Sequence, residues 1–204
     1  MHIEFLVEEP SAEAALRNIV PGIAGPGHSF VVHPHQGKPN LLRSLPGRLR
    51  GYASWLPRDW RIVVLVDRDR QECHILKEKL ERMARDAGLL TRTATPLPSR
   101  FQVINRIAIE ELEAWFFGDA DAIRAAYPGV PRTFERRSAY RQPDAIGGGT
   151  WEALERLLQR AGYFRGGLAK IEAATAISGH MDPARNTSRS FCVSRDALAA
   201  LAKI

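Results

Sequence analysis

Short apolar runs recur along the first part of the chain, separated by stretches with helical spacing. The clearest run, residues 62–66, is a continuous stretch of Ile, Val and Leu that leads directly into Asp67-Arg68-Asp69. An unbroken apolar strand of this kind is typical of a parallel sheet that is covered on both faces. Residues 3–7 and 30–33 form shorter runs. The three runs are predicted to be strands.

Between these runs, apolar residues repeat every three or four positions, which indicates helices. The predicted helices lie at residues 11–20, at 41–49 with an interruption or end near Pro46, and at 71–87. Residues 89–95 and 103–109 are predicted to be two further strands. Alternation of strand and helix predicts a doubly wound α/β domain with a mainly parallel sheet.

From Glu110 onward the apolar spacing indicates helices, with a Pro/Gly/Arg-rich link at residues 128–149. The predicted helices cover residues 110–117, 119–127, 151–161, 168–179 and 195–203. We therefore predict an α/β core over residues 1–118 and a helical C-terminal extension over 119–204, packed on the core as one compact unit.

Composition narrows the class of protein. With 45% apolar and 25% charged residues, the chain is a folded globular protein and not a disordered one. The two cysteines, Cys73 and Cys192, have no spacing that suggests a disulfide framework or a zinc knuckle. Neither a signal peptide nor a membrane-spanning apolar run is apparent, so a cytoplasmic location is expected.

The net charge of +6 is unevenly distributed. Residues 38–70 hold eight Lys or Arg against three Asp, whereas residues 1–16 and 105–122 are rich in acids. A basic surface next to clustered carboxylates suits an enzyme that attracts a polyanion and binds a divalent cation. Ordinary solvated helix faces are the alternative.

Carboxylates follow two of the predicted strands. Asp67 and Asp69 come directly after the central strand, where open α/β sheets bind their ligands. Glu8 and Glu9 follow the first strand, and Glu13 lies one helical turn beyond Glu9. If the two strands are neighbours, these acids form a pocket that suits Mg²⁺. The alternatives are a surface turn whose aspartates pair with arginines, and acids that favour a helix N-terminus.

The chain resembles a Toprim-like bacterial family of unknown function, which is related to the Toprim domains of topoisomerases, primases and overcoming-lysogenisation-defect nucleases. The resemblance is carried by FLVEEPSAEAAL at 5–16 and RIVVLVDRDRQEC at 61–73. Further matching blocks lie at residues 36–42, 106–119, 143–164, 167–174 and 186–191. It implies a Toprim-like fold whose acids hold Mg²⁺ around a phosphodiester.

In the resemblance, Asp67 and Asp69 match the Toprim aspartates. The Toprim glutamate matches Glu8, or Glu9 if Glu13 is taken as the second acid of a Glu-x-x-x-Glu pair; it acts as a general acid or base. Glu9 stands where the usual motif has glycine.

A third group of acids follows the last predicted strand. Glu110 and Glu113 are predicted to share one helical face and to complete a second metal site. The alternative is structural: Glu113 accepts a hydrogen bond from a core Arg or Trp. Lys170 could supply a cation to the transition state, or it could simply be a solvated lysine.

Basic and small polar residues are candidates for contact with phosphate. The candidate phosphate ligands are Lys38, Arg68, Arg70 and Arg106. Two loops, residues 147–150 and 186–191, could also meet an anion, with ordinary helix capping as the alternative.

These observations predict a nuclease dependent on Mg²⁺ or Mn²⁺ that cleaves nucleic-acid phosphodiesters, with a role in phage defence beside a partner ATPase implied by the resemblance. The catalytic candidates are Glu8, Glu9, Asp67, Asp69 and Lys170. The competing hypothesis is a non-catalytic subunit that binds nucleotide or nucleic acid or docks to a partner.

Overall fold

The computed structural model describes residues 1–97 and 100–201, and within them four strands form one parallel sheet. The strands are β1 (His2–Val7), β2 (Ser29–Pro34), β3 (Trp60–Asp67) and β4 (Val103–Ala108), in the order β2-β1-β3-β4. The α/β prediction with a mainly parallel sheet is confirmed. Both β1 and β3 are central, because each pairs with a strand on either side.

Among the described residues, three long α-helices connect the strands, and five further α-helices follow the sheet. The first three are α1 (Pro10–Ala24), α2 (Lys38–Trp55) and α3 (Cys73–Asp86). The others are α4 (Glu113–Phe117), α5 (Ala120–Ala126), α6 (Thr150–Arg160), α7 (Lys170–Ser178) and α8 (Arg189–Leu201).

Alternate strand residues enter two apolar clusters on opposite faces of the sheet, as the pleat requires. Leu6 packs with the leucines of α2 and α3 on one face. Phe5 packs on the other face with α1 and with residues of the C-terminal helices such as Leu154 and Phe191. The helices after the sheet therefore share a core with β1 and α1.

One predicted strand is wrong. Residues 89–95 form no strand, and only an isolated bridge joins Thr91 to Val103. The backbone N–H groups of Ala94 and Thr95 donate to the Thr91 carbonyl, so the chain turns there before it can run along β4.

Several predicted helices have different bounds in the structure, and the largest differences are in α2 and α8. Helix α2 runs through Pro46 without ending, because Leu41, Leu45 and Leu49 are fully buried against the sheet and hold the helix on both sides of the proline. Helix α8 begins at Arg189, six residues before the predicted start, and positions 202–203 of that prediction lie outside the described residues.

Candidate active site at the carboxyl edge of the sheet

The first two groups of predicted acids meet because β1 and β3 are adjacent and parallel. Val7 lies opposite Leu65, so Glu8 and Asp67 leave the sheet at the same edge. The Glu8 Oε2 atom accepts a hydrogen bond from the Asp67 N–H at 3.2 Å. This is the edge at which open α/β sheets bind ligands.

The backbone at this edge adopts an uncommon conformation. Asp69 and Glu110 have φ angles of 50° and 56°, in the left-handed region that residues other than glycine rarely adopt. The Asp69 N–H donates to the Glu110 carbonyl at 2.8 Å, and the Arg68 N–H donates to the Ala108 carbonyl at 2.8 Å. These bonds extend the pairing of β3 and β4 beyond the strands and hold the two acids in place.

Two of the predicted phosphate ligands pair with predicted metal ligands. Lys38, which is 6% exposed, places Nζ 2.6 Å from Asp69 Oδ2 and also donates to the Arg68 carbonyl at 3.3 Å. Arg68 forms an ion pair with Glu110. Two of the carboxylates are thus neutralised by basic side chains of the same edge.

The acids at the start of α1 are also paired. Glu13 binds Arg17 one helical turn away at 2.6 Å. Glu9 lies 3.5 Å from the Lys170 Nζ atom, which also sits 5.2 Å from the centre of the Trp151 ring. Among the predicted metal ligands, Asp69, Glu110, Glu9 and Glu13 therefore each have a cationic partner.

Three of the predicted metal ligands form no ion pair within residues 1–97 and 100–201: Glu8, Asp67 and Glu113. We call these three side chains the edge cluster. Glu8 is 9% exposed and Glu113 is 4% exposed, while Asp67 is half-buried. Glu8 accepts a hydrogen bond, but a buried carboxylate charge is normally also paired with a cation, and none of the three forms an ion pair within the described residues.

The pKa values of the edge cluster reflect the burial of three carboxylates close together. Burial raises the pKa of Asp67 well above its ordinary value, and the charges of Glu8 and Glu113 raise it further. Burial raises the pKa of Glu113 to about 7, although Lys170 opposes the shift. Burial also raises the pKa of Glu8, against the Asp67 hydrogen bond and the charge of Lys38. Each shift marks a carboxylate that a cation would stabilise.

The prediction that Glu110 and Glu113 share a helical face is wrong. Helix α4 begins only at Glu113, and Glu110 lies before it in the left-handed conformation. The two side chains separate: Glu110 turns to Arg68, whereas Glu113 is buried near Lys170 and Asp67.

Sequence reasoning missed Glu111, which caps α6 from a distance of 39 residues in sequence. Its Oε2 atom accepts from the Thr150 N–H at 3.0 Å, the Thr150 hydroxyl at 2.9 Å and the Trp151 N–H at 2.9 Å. The start of α6 is therefore occupied by a carboxylate of the chain itself. No local pattern around either residue could have indicated this contact.

The loop at residues 186–191 is likewise capped from within. Asp144 accepts hydrogen bonds from the Arg189 N–H at 2.6 Å and from the Ser188 and Ser190 hydroxyls at 2.9 and 2.7 Å. The Trp115 indole N–H donates to the Ser190 hydroxyl at 3.0 Å. These polar groups fix α8 against α4, which is the capping role.

Lys170 remains charged beside the acids. Burial lowers its pKa, but the nearby carboxylates of Glu113, Glu9 and Glu111 outweigh burial and leave the pKa above its ordinary value. The predicted lysine is thus placed next to the edge cluster, across 161 positions of sequence from Glu9.

Two clefts lie beside the edge, and the predicted phosphate ligands divide between them. A cleft of about 620 Å³ contains Arg68 and Arg70, with Asp69 and the glycine loop at 147–149 on its walls. Arg106 lines a neighbouring cleft of about 580 Å³ with Lys77 and Arg189. Lys38, Arg68 and Arg70 therefore gather around Asp69, whereas Arg106 lies apart on β4.

The carboxylate oxygens at the carboxyl edge decide whether a metal ion can bind there. Within the described ranges, no three His, Cys, Asp or Glu side chains lie in positions that could hold a metal ion. The edge cluster nevertheless has the donor atoms that a divalent cation prefers, because it offers hard carboxylate oxygens that form no ion pair within the described residues. Binding would require rotation of these side chains toward one another.

Within residues 1–97 and 100–201 no helix is long and apolar enough to cross a membrane.

Comparison with known proteins places the chain in a family without assigning it an activity. No curated protein matches the sequence. Among solved structures, the C-terminal region of the Burkholderia pseudomallei OLD protein is similar at 18% identity and a TM-score of 0.46, with 98% of this chain and 97% of that chain covered. A family model described as "Domain of unknown function (DUF4276)" matches residues 7–195. Because this match spans nearly the whole chain, the protein belongs to the DUF4276 family.

Proposed function

We propose that this protein cleaves phosphodiester bonds of nucleic acid with Mg²⁺ or Mn²⁺ held at the carboxyl edge of its sheet. The observation that carries the proposal is the edge cluster: Glu8, Asp67 and Glu113 lie at a ligand-binding edge, have raised pKa values and form no ion pair among the described residues. The Toprim-like resemblance of residues 5–16 and 61–73 supports the same edge.

In this proposal the edge cluster holds the cation. A divalent cation bound there would offset the charge that develops on the phosphoryl oxygens and would favour ionisation of water. Lys38 pairs with Asp69, and Arg70, which is exposed beside the cleft, would contact the substrate phosphate. Lys170 adds a fixed positive charge next to Glu113.

The choice between Glu8 and Glu9 as general base favours Glu8. Glu9 lies within ion-pair distance of Lys170, whereas Glu8 forms no ion pair in the described part of the chain and is oriented by the Asp67 N–H. Phage defence and a partner ATPase stay predictions of the resemblance.

A nuclease assay tests the proposal. End-labelled single-stranded DNA, duplex DNA and RNA are incubated with the wild type, with Asp67→Asn and with Asp86→Asn, in Mg²⁺, in Mn²⁺ and in EDTA. Asp86 is an exposed aspartate at the end of α3, so its variant is a matched control. We expect cleavage that requires the divalent cation, falls at least about 100-fold in Asp67→Asn and is unchanged in Asp86→Asn.

The second candidate function, a non-catalytic nucleic-acid-binding subunit, is favoured by one observation. Lys38 neutralises Asp69, which is one of the two acids that follow the central strand. If none of the substrates is cleaved with either cation, and Asp67→Asn binds nucleic acid as tightly as the wild type, the nuclease proposal is wrong and the binding function is supported.

A further inference from the structure

The exposed arginines of helix α2 form no ion pair within the described chain. No Asp or Glu occurs between Glu13 and Asp59, and Arg43, Arg48 and Arg50 are all exposed on this helix. None of the three forms an ion pair within residues 1–97 and 100–201; Arg43 binds only the side-chain oxygen of Asn40. The exposed face of α2 is therefore a purely cationic surface.

The neighbouring helix α3 provides the contrast. There Lys77 pairs with Glu81 at 2.8 Å, and Arg85 pairs with Glu78 at 2.8 Å. Acids and bases alternate on α3 at helical spacing, which is the usual pattern of a solvated helix face. Helix α2 packs in the same apolar cluster as α3 but has no acids. Its charge is therefore not explained by solubility alone.

The cationic face of α2 also contains two glycines, which have no side chains to project from the helix. Gly47 lies between Arg43 and Arg50 at helical spacing, and Gly51 follows on the same side. A Cβ added at either glycine would meet nothing within 4 Å, so neither glycine is required by packing. Glycine is a poor helix former, and two in one exposed helix face suit the close approach of a partner from outside.

An aromatic platform lies at the far end of the same helix. Trp55, the last residue of α2, is 55% exposed. Tyr52 and Trp60 support it, with ring centres 5.4 and 5.6 Å from its own. An exposed indole at the end of a helix that carries arginines provides a surface on which a base can stack.

We propose that the exposed face of α2, from Arg43 to Trp55, is a docking surface for the sugar–phosphate backbone of nucleic acid. The choice of nucleic acid as occupant rests on the proposed function, whereas the surface itself is defined by its unpaired charge. The first residue of the helix, Lys38, contacts Asp69 at the carboxyl edge of the sheet. The 18 residues of α2 extend about 27 Å from that edge, the length of about eight base-pair steps.

An anionic membrane is a poorer occupant. A helix that lies on a membrane inserts an apolar face between the lipids. The apolar face of α2 is already used, because Leu41, Leu45 and Leu49 are fully buried against the sheet. The exposed face offers arginines, small residues and one tryptophan at its end, which suits phosphates and bases.

The test measures binding without cleavage. Fluorescence anisotropy in EDTA follows the binding of labelled duplex and single-stranded DNA to the wild type, to Arg43→Gln/Arg50→Gln and to Lys79→Gln/Arg82→Gln. The last variant removes the same charge from exposed positions of α3. Salt is varied between about 50 and 200 mM.

We expect the α2 variant to bind duplex about tenfold more weakly at low salt and to lower the slope of log K against log salt by about two, and the α3 variant to match the wild type. Trp55→Ala should weaken single-strand binding at least about fivefold, with recovery in Trp55→Phe. Equal affinities and slopes for the α2 variant and the wild type would overturn the proposal, as would binding to phosphatidylserine vesicles but not to DNA.

The docking surface and the proposed function can fail separately. Binding that depends on the α2 arginines, without cleavage in any cation, supports the docking surface and removes the nuclease. Cleavage that depends on Asp67, with binding unaffected by the α2 variant, supports the nuclease and removes the docking surface.

Discussion

Two glutamates four residues apart on and after β1 are buried to a similar degree but in opposite electrostatic settings. Glu4, 7% exposed, accepts hydrogen bonds from His2, His33 and Tyr52 at 3.0, 2.5 and 2.9 Å. Burial alone would raise its pKa, but these bonds outweigh burial and lower it. We call these four residues the Glu4 network.

Glu8, 9% exposed, has instead the backbone N–H of Asp67 as its hydrogen-bond donor and two further acids for neighbours. Its pKa is raised. The Glu4 network meets the requirements of a stable core, whereas the edge cluster violates them. Such local violations are characteristic of functional sites, where charge is held ready for a ligand.

The largest expected effect comes from removing Glu4. Glu4→Ala leaves the buried Tyr52 hydroxyl and two imidazoles without their acceptor and should lower the free energy of unfolding by about 3 kcal/mol. Urea denaturation measures the loss. Because the pKa of Glu4 is lowered, its contribution is present above the ordinary value of 4.5 and is lost as pH falls through the folded-state pKa. A variant as stable as the wild type would contradict the role given to the network.

The edge cluster should respond to pH in the opposite direction. Glu113 has a pKa of about 7 in the folded protein against 4.5 ordinarily, so the folded state binds its proton more tightly. In EDTA, stability should fall as pH rises from about 4.5 to about 7, by at most about 3 kcal/mol from this group. Thermal unfolding across this range measures the slope, and Glu113→Gln should flatten it. Equal slopes in both proteins would contradict the prediction.

Neutralising Asp67 should separate stability from function. Asp67→Asn removes one of the crowded charges, so in EDTA its free energy of unfolding should rise by about 1 kcal/mol while cleavage is lost. Denaturation in EDTA and again in Mn²⁺ provides the measurement, since the cation should stabilise the wild type more than the variant. Destabilisation in EDTA would show that Asp67 is a structural residue.

The smallest effect is expected at Glu111. Glu111→Ala removes the cap of α6 and should cost about 1 kcal/mol, because the N–H groups of Thr150 and Trp151 lose their acceptor. Glu111→Gln keeps an acceptor oxygen and should recover part of the loss. If alanine and glutamine have equal effects, the charge of Glu111, and not its hydrogen bonds, is what matters.

The placement of the strands was predictable because it depends on local pattern. The runs at 3–7 and 62–66 have apolar residues at both odd and even positions, so they can be buried on both faces of a sheet. A parallel sheet brings their carboxyl ends together. That is why Glu8 and Asp67 could be predicted to meet. The run at 89–95 failed because a backbone turn at Thr91 overrides its β-branched composition.

The pairing of the acids was not predictable in the same way. Lys38 reaches Asp69 across 31 positions, and Lys170 reaches Glu9 across 161 positions. Which carboxylate is neutralised and which is left unpaired depends on how helices pack, and no spacing in the sequence contains that information. The division of seven predicted ligands into paired and unpaired acids is therefore a result of the tertiary structure.

The left-handed conformation of Glu110 has a consequence for the evolution of this chain. Glycine would adopt that backbone more easily, so variants selected for thermostability alone should drift to glycine at position 110. Variants selected for activity should keep the acid that engages Arg68. If both selections are run on one library, the residue recovered at position 110 would show whether the edge is maintained for stability or for activity.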